Sequence, residues 1–66
     1  MKSISERIIA YEWGYGDGDF MLQLFSDLVK TGMVWGLEGH YGRTANYLMD
    51  KGYINIHGEI TKEINQ

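Results

Sequence analysis

The sequence predicts a small, mainly α-helical domain of three to four helices, with a short β-hairpin possible at its C-terminus. Apolar residues recur at helical spacing in three segments, and a glycine stands where each segment ends. The 66 residues include no cysteine, so no disulfide framework shapes the fold. A chain of this length forms one domain. We place that domain at residues 1–61 and expect residues 62–66 to fray.

The first helix is predicted over residues 4–13. Ser3 and Glu6 have the spacing of a capping box, in which each side chain bonds to the backbone N–H of the other residue. An apolar stripe with spacings of four and three follows, formed by Ile4, Ile8 and Tyr11 and extended by Ile9 and Trp13. Gly14 then ends the helix, because the glycines that follow do not favour its continuation.

The second helix, predicted over residues 20–31, has the clearest pattern. One broad apolar face is formed by Phe20, Met21, Leu24, Phe25, Leu28 and Val29. Asp17 or Asp19 is expected to cap the first turn, and Gly32 to end the helix. The opposite face is polar and includes Ser26.

Residues 33–38 are too few for their periodicity to separate a helix from a strand. We favour a short helix, because no partner strand lies nearby in the sequence. A turn at residues 39–40 then precedes the third helix, predicted over 41–51, whose apolar face consists of Tyr41, Ala45, Leu48 and Met49. Residues 53–56 alternate as a short strand does, and a turn at residues 57–58 would complete the C-terminal hairpin.

The three helices are expected to pack their apolar faces into a single core. Its predicted members are Ile8, Leu24, Phe25, Leu28, Ala45, Leu48 and Met49. Aromatic residues make up 14% of the chain, more than so small a core can enclose. Exposed Tyr and Trp are favoured interface residues. Because a small chain without disulfides gains core by self-association, a homodimer is a further expectation.

Most chemical functions are poorly matched to this composition. The absence of cysteine excludes thiol nucleophiles, and His40 and His57 lack the spacing of zinc ligands. The glycines of residues 14–18 lack the Lys-Ser/Thr ending of a phosphate loop, and the aspartates among them do not complete a calcium loop. We therefore expect no enzyme, no cofactor and no metal. The sequence contains no run of 18 apolar residues, so it predicts no membrane helix.

Two partial likenesses point to a nucleic-acid-binding protein. Residues 36–39, Gly-Leu-Glu-Gly before a helix, resemble the Gly-x-x-Gly loop of a KH module. A strand after the third helix resembles the end of a winged helix-turn-helix domain. Glu38 would bring a negative charge to the phosphate, and the net charge of −3 comes without a basic stripe. A nucleic-acid-binding regulator using residues 36–51 is therefore the alternative hypothesis, and nucleic acid is not the favoured partner.

A protein partner is favoured, with its binding site around the third helix. Trp, Tyr and Arg are enriched at binding hot spots, and the candidate partner-binding residues are Trp35, His40, Tyr41, Arg43 and Tyr47. Arg43 and Tyr47 lie four residues apart, so they are expected to be neighbours on the outer face of the helix. The next candidate surface is the first helix around Trp13 and Tyr15.

A family likeness is carried by four segments, at residues 6–12, 24–32, 34–45 and 48–54. Its most specific part is Gly-His-Tyr-Gly-Arg-Thr-Ala at 39–45. These segments resemble a family of small tailed-bacteriophage proteins without an assigned activity. Members of that family often carry Gln in place of Glu38, and a more helical, acidic connector in place of the glycine-rich turn at 14–18. The resemblance implies a phage origin and the cytoplasm of an infected host cell. Small phage proteins of this kind commonly bind a host or phage protein, so stoichiometric modulation of such a partner is expected.

Overall fold

Helices form most of the computed structural model, which describes residues 3–62. The helices are α1, Ile4–Glu12; α2, Gly18–Thr31; and α3, Gly39–Asp50; a short 3-10 helix, Met33–Gly36, connects the last two. The prediction of a mainly α fold is confirmed, and so is the short helix within residues 33–38. None of these helices is long and apolar enough to cross a membrane.

Helix α1 begins and ends through local hydrogen bonds that the sequence predicts. The Ser3 hydroxyl accepts from the Glu6 N–H at 3.2 Å, and the Ser3 N–H donates to the Glu6 carboxylate at 3.0 Å. At the other end Gly14 adopts φ 82°, which allows the Tyr15 N–H to donate to the Ala10 carbonyl at 2.9 Å. This is the Schellman turn that commonly ends a helix at glycine.

Helix α2 is the centre of the fold and begins two residues earlier than predicted. Asp17 is its N-cap, since the Asp17 carboxylate accepts from the Phe20 N–H at 3.0 Å. Six of its residues are buried: Leu22, Leu24, Phe25, Ser26, Leu28 and Val29. The polar face predicted for Ser26 is wrong, because this side chain is 2% exposed and donates a hydrogen bond to the Gly58 carbonyl at 2.5 Å.

The predicted C-terminal hairpin does not form. Among residues 3–62 the β pairing is a single antiparallel bridge between Ile54 and Ile60. The chain between them turns around Asn55, whose side-chain oxygen accepts from the N–H groups of His57 and Glu59 at 3.0 Å each. The side chain thus takes up the Glu59 N–H, a donor that the predicted hairpin would use in its ladder, and the turn is wider than the predicted two residues.

Helix α3 also begins earlier than predicted, so the expected turn at residues 39–40 is instead its first turn. The Tyr41 N–H already donates to the Glu38 carbonyl at 2.9 Å. No side chain caps this end, which left the start without a signal in the sequence. Of the predicted fraying tail, Lys62 places its ammonium group 4.6 Å from the centre of the Tyr53 ring, and residues 63–66 lie outside the described part of the chain.

The core lies between α2, α3 and the segment after α3. The predicted members Leu24, Phe25, Leu28, Ala45 and Leu48 are buried, while Ile8 and Met49 are partly buried and pack against them. The core also contains buried residues absent from the predicted set: Leu22, Val29, Val34, Tyr41 and Ile54. Ile54 shows that the C-terminal segment, and not only the three helices, completes the core.

Candidate functional site

Three of the predicted partner-binding residues are exposed on α3 or against it. Tyr47 is 57% exposed, Trp35 is 56% exposed, and Arg43 is exposed beside Tyr47. Trp35 projects from the 3-10 helix onto α3 at Gly42, where a Cβ atom would lie 3.7 Å from the indole ring. We call Trp35, Arg43 and Tyr47 the α3 surface.

An open, shallow depression lies on this face, lined by Arg43, Asn46, Tyr47, Met49 and Asp50. The Arg43 guanidinium extends back along the helix to Gly39, where a Cβ atom would lie 3.1 Å from Nη1. Within residues 3–62, Arg43 forms no ion pair. The Arg43 guanidinium and the neighbouring Tyr47 ring are therefore both available to a partner molecule.

Tyr41 is not part of this surface, contrary to the prediction. Its side chain is 1% exposed, stacks on Phe25 with ring centres 6.0 Å apart, and donates a hydrogen bond to the Glu12 carboxylate at 2.5 Å. Burial raises the pKa of the Tyr41 hydroxyl, and the hydrogen bond to Glu12 and its charge raise it further. Tyr41 belongs to the inner face of α3, together with Ala45 and Leu48, so its role is in the fold.

His40 is exposed but stands apart from the depression. Its ring packs on Tyr41 with centres 4.2 Å apart, and its Nδ1 lies 3.8 Å from the Glu38 carboxylate. His40 precedes Tyr47 by seven residues, so the two side chains lie on the same side of α3, two turns apart. His40 thus borders the α3 surface at the start of the helix.

A second group of exposed apolar side chains lies on α1 and the turn after it. Trp13 is 86% exposed, Tyr15 is 66% exposed and Ile9 is 57% exposed. Trp13 and Tyr15 were only the next candidate in the sequence analysis, and Ile9 was not proposed at all. The prediction that Ile9 and Trp13 extend the apolar stripe of α1 is wrong, because only Ile4, Ile8 and Tyr11 of this helix pack against the core. Their spacing of four places Ile9 and Trp13 side by side on the exposed flank of the helix.

Acidic and histidine side chains do not gather into a metal site in the described chain: among residues 3–62 no three of them lie close enough to hold an ion.

No curated protein and no solved structure is significantly similar to the chain. A protein-family profile, described as "Domain of unknown function (DUF7417)", matches residues 1–66. The chain therefore belongs to the DUF7417 family.

Proposed function

We propose that this protein binds another protein through the α3 surface and modulates it stoichiometrically, without catalysis. The resemblance to small tailed-phage proteins supports a phage origin, a place in the cytoplasm of the infected host cell, and a host or phage protein as the partner. The observation that carries the proposal is the exposure of Tyr47 beside Arg43 and of Trp35 against α3, together with an Arg43 that has no ion pair within residues 3–62.

These residues suit a protein partner for physical reasons. Trp and Tyr bring a large contact area with few rotatable bonds, and Arg brings several directional donors. The Lys51 ammonium lies 5.7 Å from the centre of the Tyr47 ring, and Asp50 lines the depression beside Arg43. A surface with both charge signs around aromatic rings favours a mixed polar and apolar protein surface over a uniformly charged ligand.

Nucleic-acid binding by residues 36–51 is less favoured. Arg43 and Lys51 are the basic residues of this segment, and Glu38 and Asp50 offset their charge. The strand that should follow α3 in a KH-like or winged-helix arrangement is reduced to the Ile54–Ile60 bridge in the described chain. A regulator that neutralises phosphates needs a denser set of cations than this.

The experiment compares wild-type protein with the Arg43→Ala, Tyr47→Ala double variant. Each is immobilised and used to capture proteins from a host-cell lysate, and a protein held by the wild type is identified by mass spectrometry and purified. We expect the double variant to bind that partner at least about tenfold more weakly, equivalent to roughly 1.4 kcal/mol. Both side chains are exposed, so its melting temperature should stay close to that of the wild type.

Ile56→Ala provides the matched control. Ile56 is 76% exposed in the C-terminal turn, so its replacement removes a similar exposed apolar side chain away from α3 and should leave the affinity unchanged. A double variant that folds and binds normally would contradict the use of this surface. A double variant that unfolds would show that Arg43 and Tyr47 stabilise the fold and do not serve only in binding. Salt-sensitive binding of DNA or RNA, lost in the double variant, would favour the nucleic-acid alternative.

A further inference from the structure

The exposed apolar side chains around α1 form a surface of their own, which consists of Ile9, Trp13 and Tyr15 and is called the α1 surface here. Within residues 3–62 the Trp13 indole forms no hydrogen bond or ring contact, and Tyr15 contacts the Phe20 ring edge-on at 5.6 Å. Neither Ile9 nor Trp13 belongs to the core. This unusual exposure is a property of the fold, because the inner side of α1 is already used against α2.

The Schellman turn holds this surface in place. Trp13 is the C-cap of α1, and its N–H donates to the Ile9 carbonyl at 3.1 Å. Tyr15 is fixed by the hydrogen bond from its N–H to the Ala10 carbonyl. Two aromatic rings on an ordered backbone lose little freedom when a partner binds, which favours affinity.

Charge indicates what kind of partner covers the α1 surface. Residues 3–19 carry four carboxylates, Glu6, Glu12, Asp17 and Asp19, and one basic residue, Arg7. Their net charge of −3 equals that of the whole chain, so the remaining residues balance to zero. Arg7 is engaged with Asp27 at 2.7 Å across the α1–α2 contact. The aromatic rings of the α1 surface therefore lie in the acidic part of the molecule.

We propose that the α1 surface docks a basic, apolar segment of a second protein. Arg or Lys side chains of that segment lie over the Trp13 and Tyr15 rings, where the negative faces of the rings and the nearby carboxylates both attract a cation. Apolar side chains between these cations pack on Ile9. A second copy of this chain is a poorer occupant, because twofold pairing of α1 would bring two acidic segments together.

This proposal is independent of the α3 surface and is tested with a defined probe. The probe is a synthetic peptide about twelve residues long, with Arg alternating with Leu, and its matched control has Glu in place of Arg. In a Trp35→Phe background Trp13 is the sole tryptophan of the chain. We expect the Arg peptide to shift the Trp13 emission to shorter wavelength as the indole leaves water, and the Glu peptide to leave it unchanged. In the reciprocal Trp13→Phe background, Trp35 emission should not respond.

Affinities for the Arg peptide give a second measurement. Trp13→Ala should weaken binding by about tenfold or more, and the Glu12→Gln, Asp19→Asn double variant should also weaken it, whereas Trp35→Ala should change it less than about twofold. Gln at position 12 retains an oxygen that accepts from the Tyr41 hydroxyl, so the fold is preserved.

Three outcomes would overturn the proposal. The first is a Trp13 emission spectrum that does not respond to the Arg peptide. The second is an affinity for the Arg peptide that Trp13→Ala leaves unchanged, because binding would then reflect only the attraction of a negatively charged chain for a positively charged peptide. The third is a dimer in sedimentation that Trp13→Ala dissociates, which would assign the α1 surface to a second copy of the chain.

Discussion

Helices α1 and α2 are both amphipathic, yet they differ sharply in burial. Helix α2 has six buried residues, and α1 has none. The difference follows from their neighbours. Helix α2 contacts α1 and the 3-10 helix, and the C-terminal segment covers it as well. Helix α1 packs with one side only, against α2 and against Tyr41 of α3. Two helices with similar patterns therefore contribute very differently to stability.

Specific contacts, rather than deep burial, attach α1 to the rest of the molecule. Arg7 pairs with Asp27 of α2, and Glu12 accepts the hydrogen bond from the Tyr41 hydroxyl. The Tyr11 ring meets Phe25 edge-on, with centres 5.5 Å apart. Because exposed polar contacts are worth less than a filled core, we expect α1 to be the element that detaches most easily.

The largest effect is expected for Leu28→Ala in α2, compared with Ile8→Ala in α1. Leu28 is 0% exposed and its truncation should lower the free energy of unfolding by roughly 2–5 kcal/mol. Ile8 is only partly buried, so its truncation should cost about 1–2 kcal/mol. Urea unfolding of both variants tests the comparison. Equal losses would show that α1 is as tightly packed as α2.

The next largest effect is expected for Gly58→Ala, which disturbs the C-terminal cover of α2. Gly58 has φ 87°, and a Cβ atom there would lie 2.7 Å from the Ser26 carbonyl oxygen and 2.9 Å from the backbone nitrogen of Lys30. Backbone strain and the displaced segment together should cost about 2–4 kcal/mol.

Gly42→Ala is the matched control for this glycine. Its added methyl would meet the Trp35 ring at an ordinary 3.7 Å, within a helix, so it should be neutral or stabilise by up to about 1 kcal/mol. Thermal melts of the two variants provide the measurement. A Gly58→Ala protein that melts with the wild type would mean that the C-terminal segment adds little to the burial of α2.

A smaller, pH-dependent effect is expected for Tyr41→Phe, which removes one attachment of α1. Loss of the hydrogen bond to the Glu12 carboxylate should cost about 1.5–3 kcal/mol at neutral pH. The fold raises the pKa of Tyr41, so above about pH 10 the unfolded chain releases this proton while the folded chain still holds it. The stability contributed by Tyr41 is thus complete below that pH and declines as the pH rises further.

Tyr41→Phe cannot lose stability through this titration at high pH. The difference in the free energy of unfolding between the wild type and the variant, called the deficit, should therefore shrink between about pH 9 and pH 11. Urea midpoints of both proteins at several pH values measure the deficit, and other groups cancel because both chains share them. A deficit that stays constant or grows across this range would contradict a buried, neutral Tyr41.

The local part of this fold was predictable, because its signals lie within a few residues of one another. The Ser3–Glu6 cap, the apolar period of α2 and the glycines at the helix ends are signals of that kind. Contacts between distant positions were not predictable. Ser26 is buried because Gly58, 32 residues later, accepts its hydrogen bond, and no pattern around Ser26 signals that partner.

The candidate site shows the same division. The exposure of Arg43 and Tyr47 follows from the helical period of α3, which also places Tyr41 on the inner face with Ala45 and Leu48. Tyr41 was nevertheless also named as a partner-binding residue, because a turn before the helix was expected to present it beside Arg43 and Tyr47. Its actual partner, Glu12, lies 29 residues away on α1. A buried Tyr needs such a partner, and only the folded chain identifies it.

The smallest effects are expected from removing the two helix N-caps, and they offer the sharpest comparison of α1 with α2. Ser3→Ala and Asp17→Ala each remove one side-chain bond to a backbone N–H, a change worth about 1 kcal/mol of helix stability. The core rests on α2, so Asp17→Ala should lower the global free energy of unfolding by nearly that amount. Helix α1 has no buried residue of its own, so its first turn frays at lower cost and Ser3→Ala should lower the global free energy of unfolding less.

Hydrogen exchange separates these two results. In Ser3→Ala the amides of α1 should exchange several-fold faster while those of α2 keep their protection, because α1 opens locally. In Asp17→Ala both helices should lose protection together, since weakening α2 weakens every contact that holds α1. If Ser3→Ala instead lowers the protection of α1 and α2 equally, α1 unfolds only with the whole domain. The contacts through Arg7, Tyr11 and Glu12 would then stabilise α1 as much as the burial of its side chains stabilises α2.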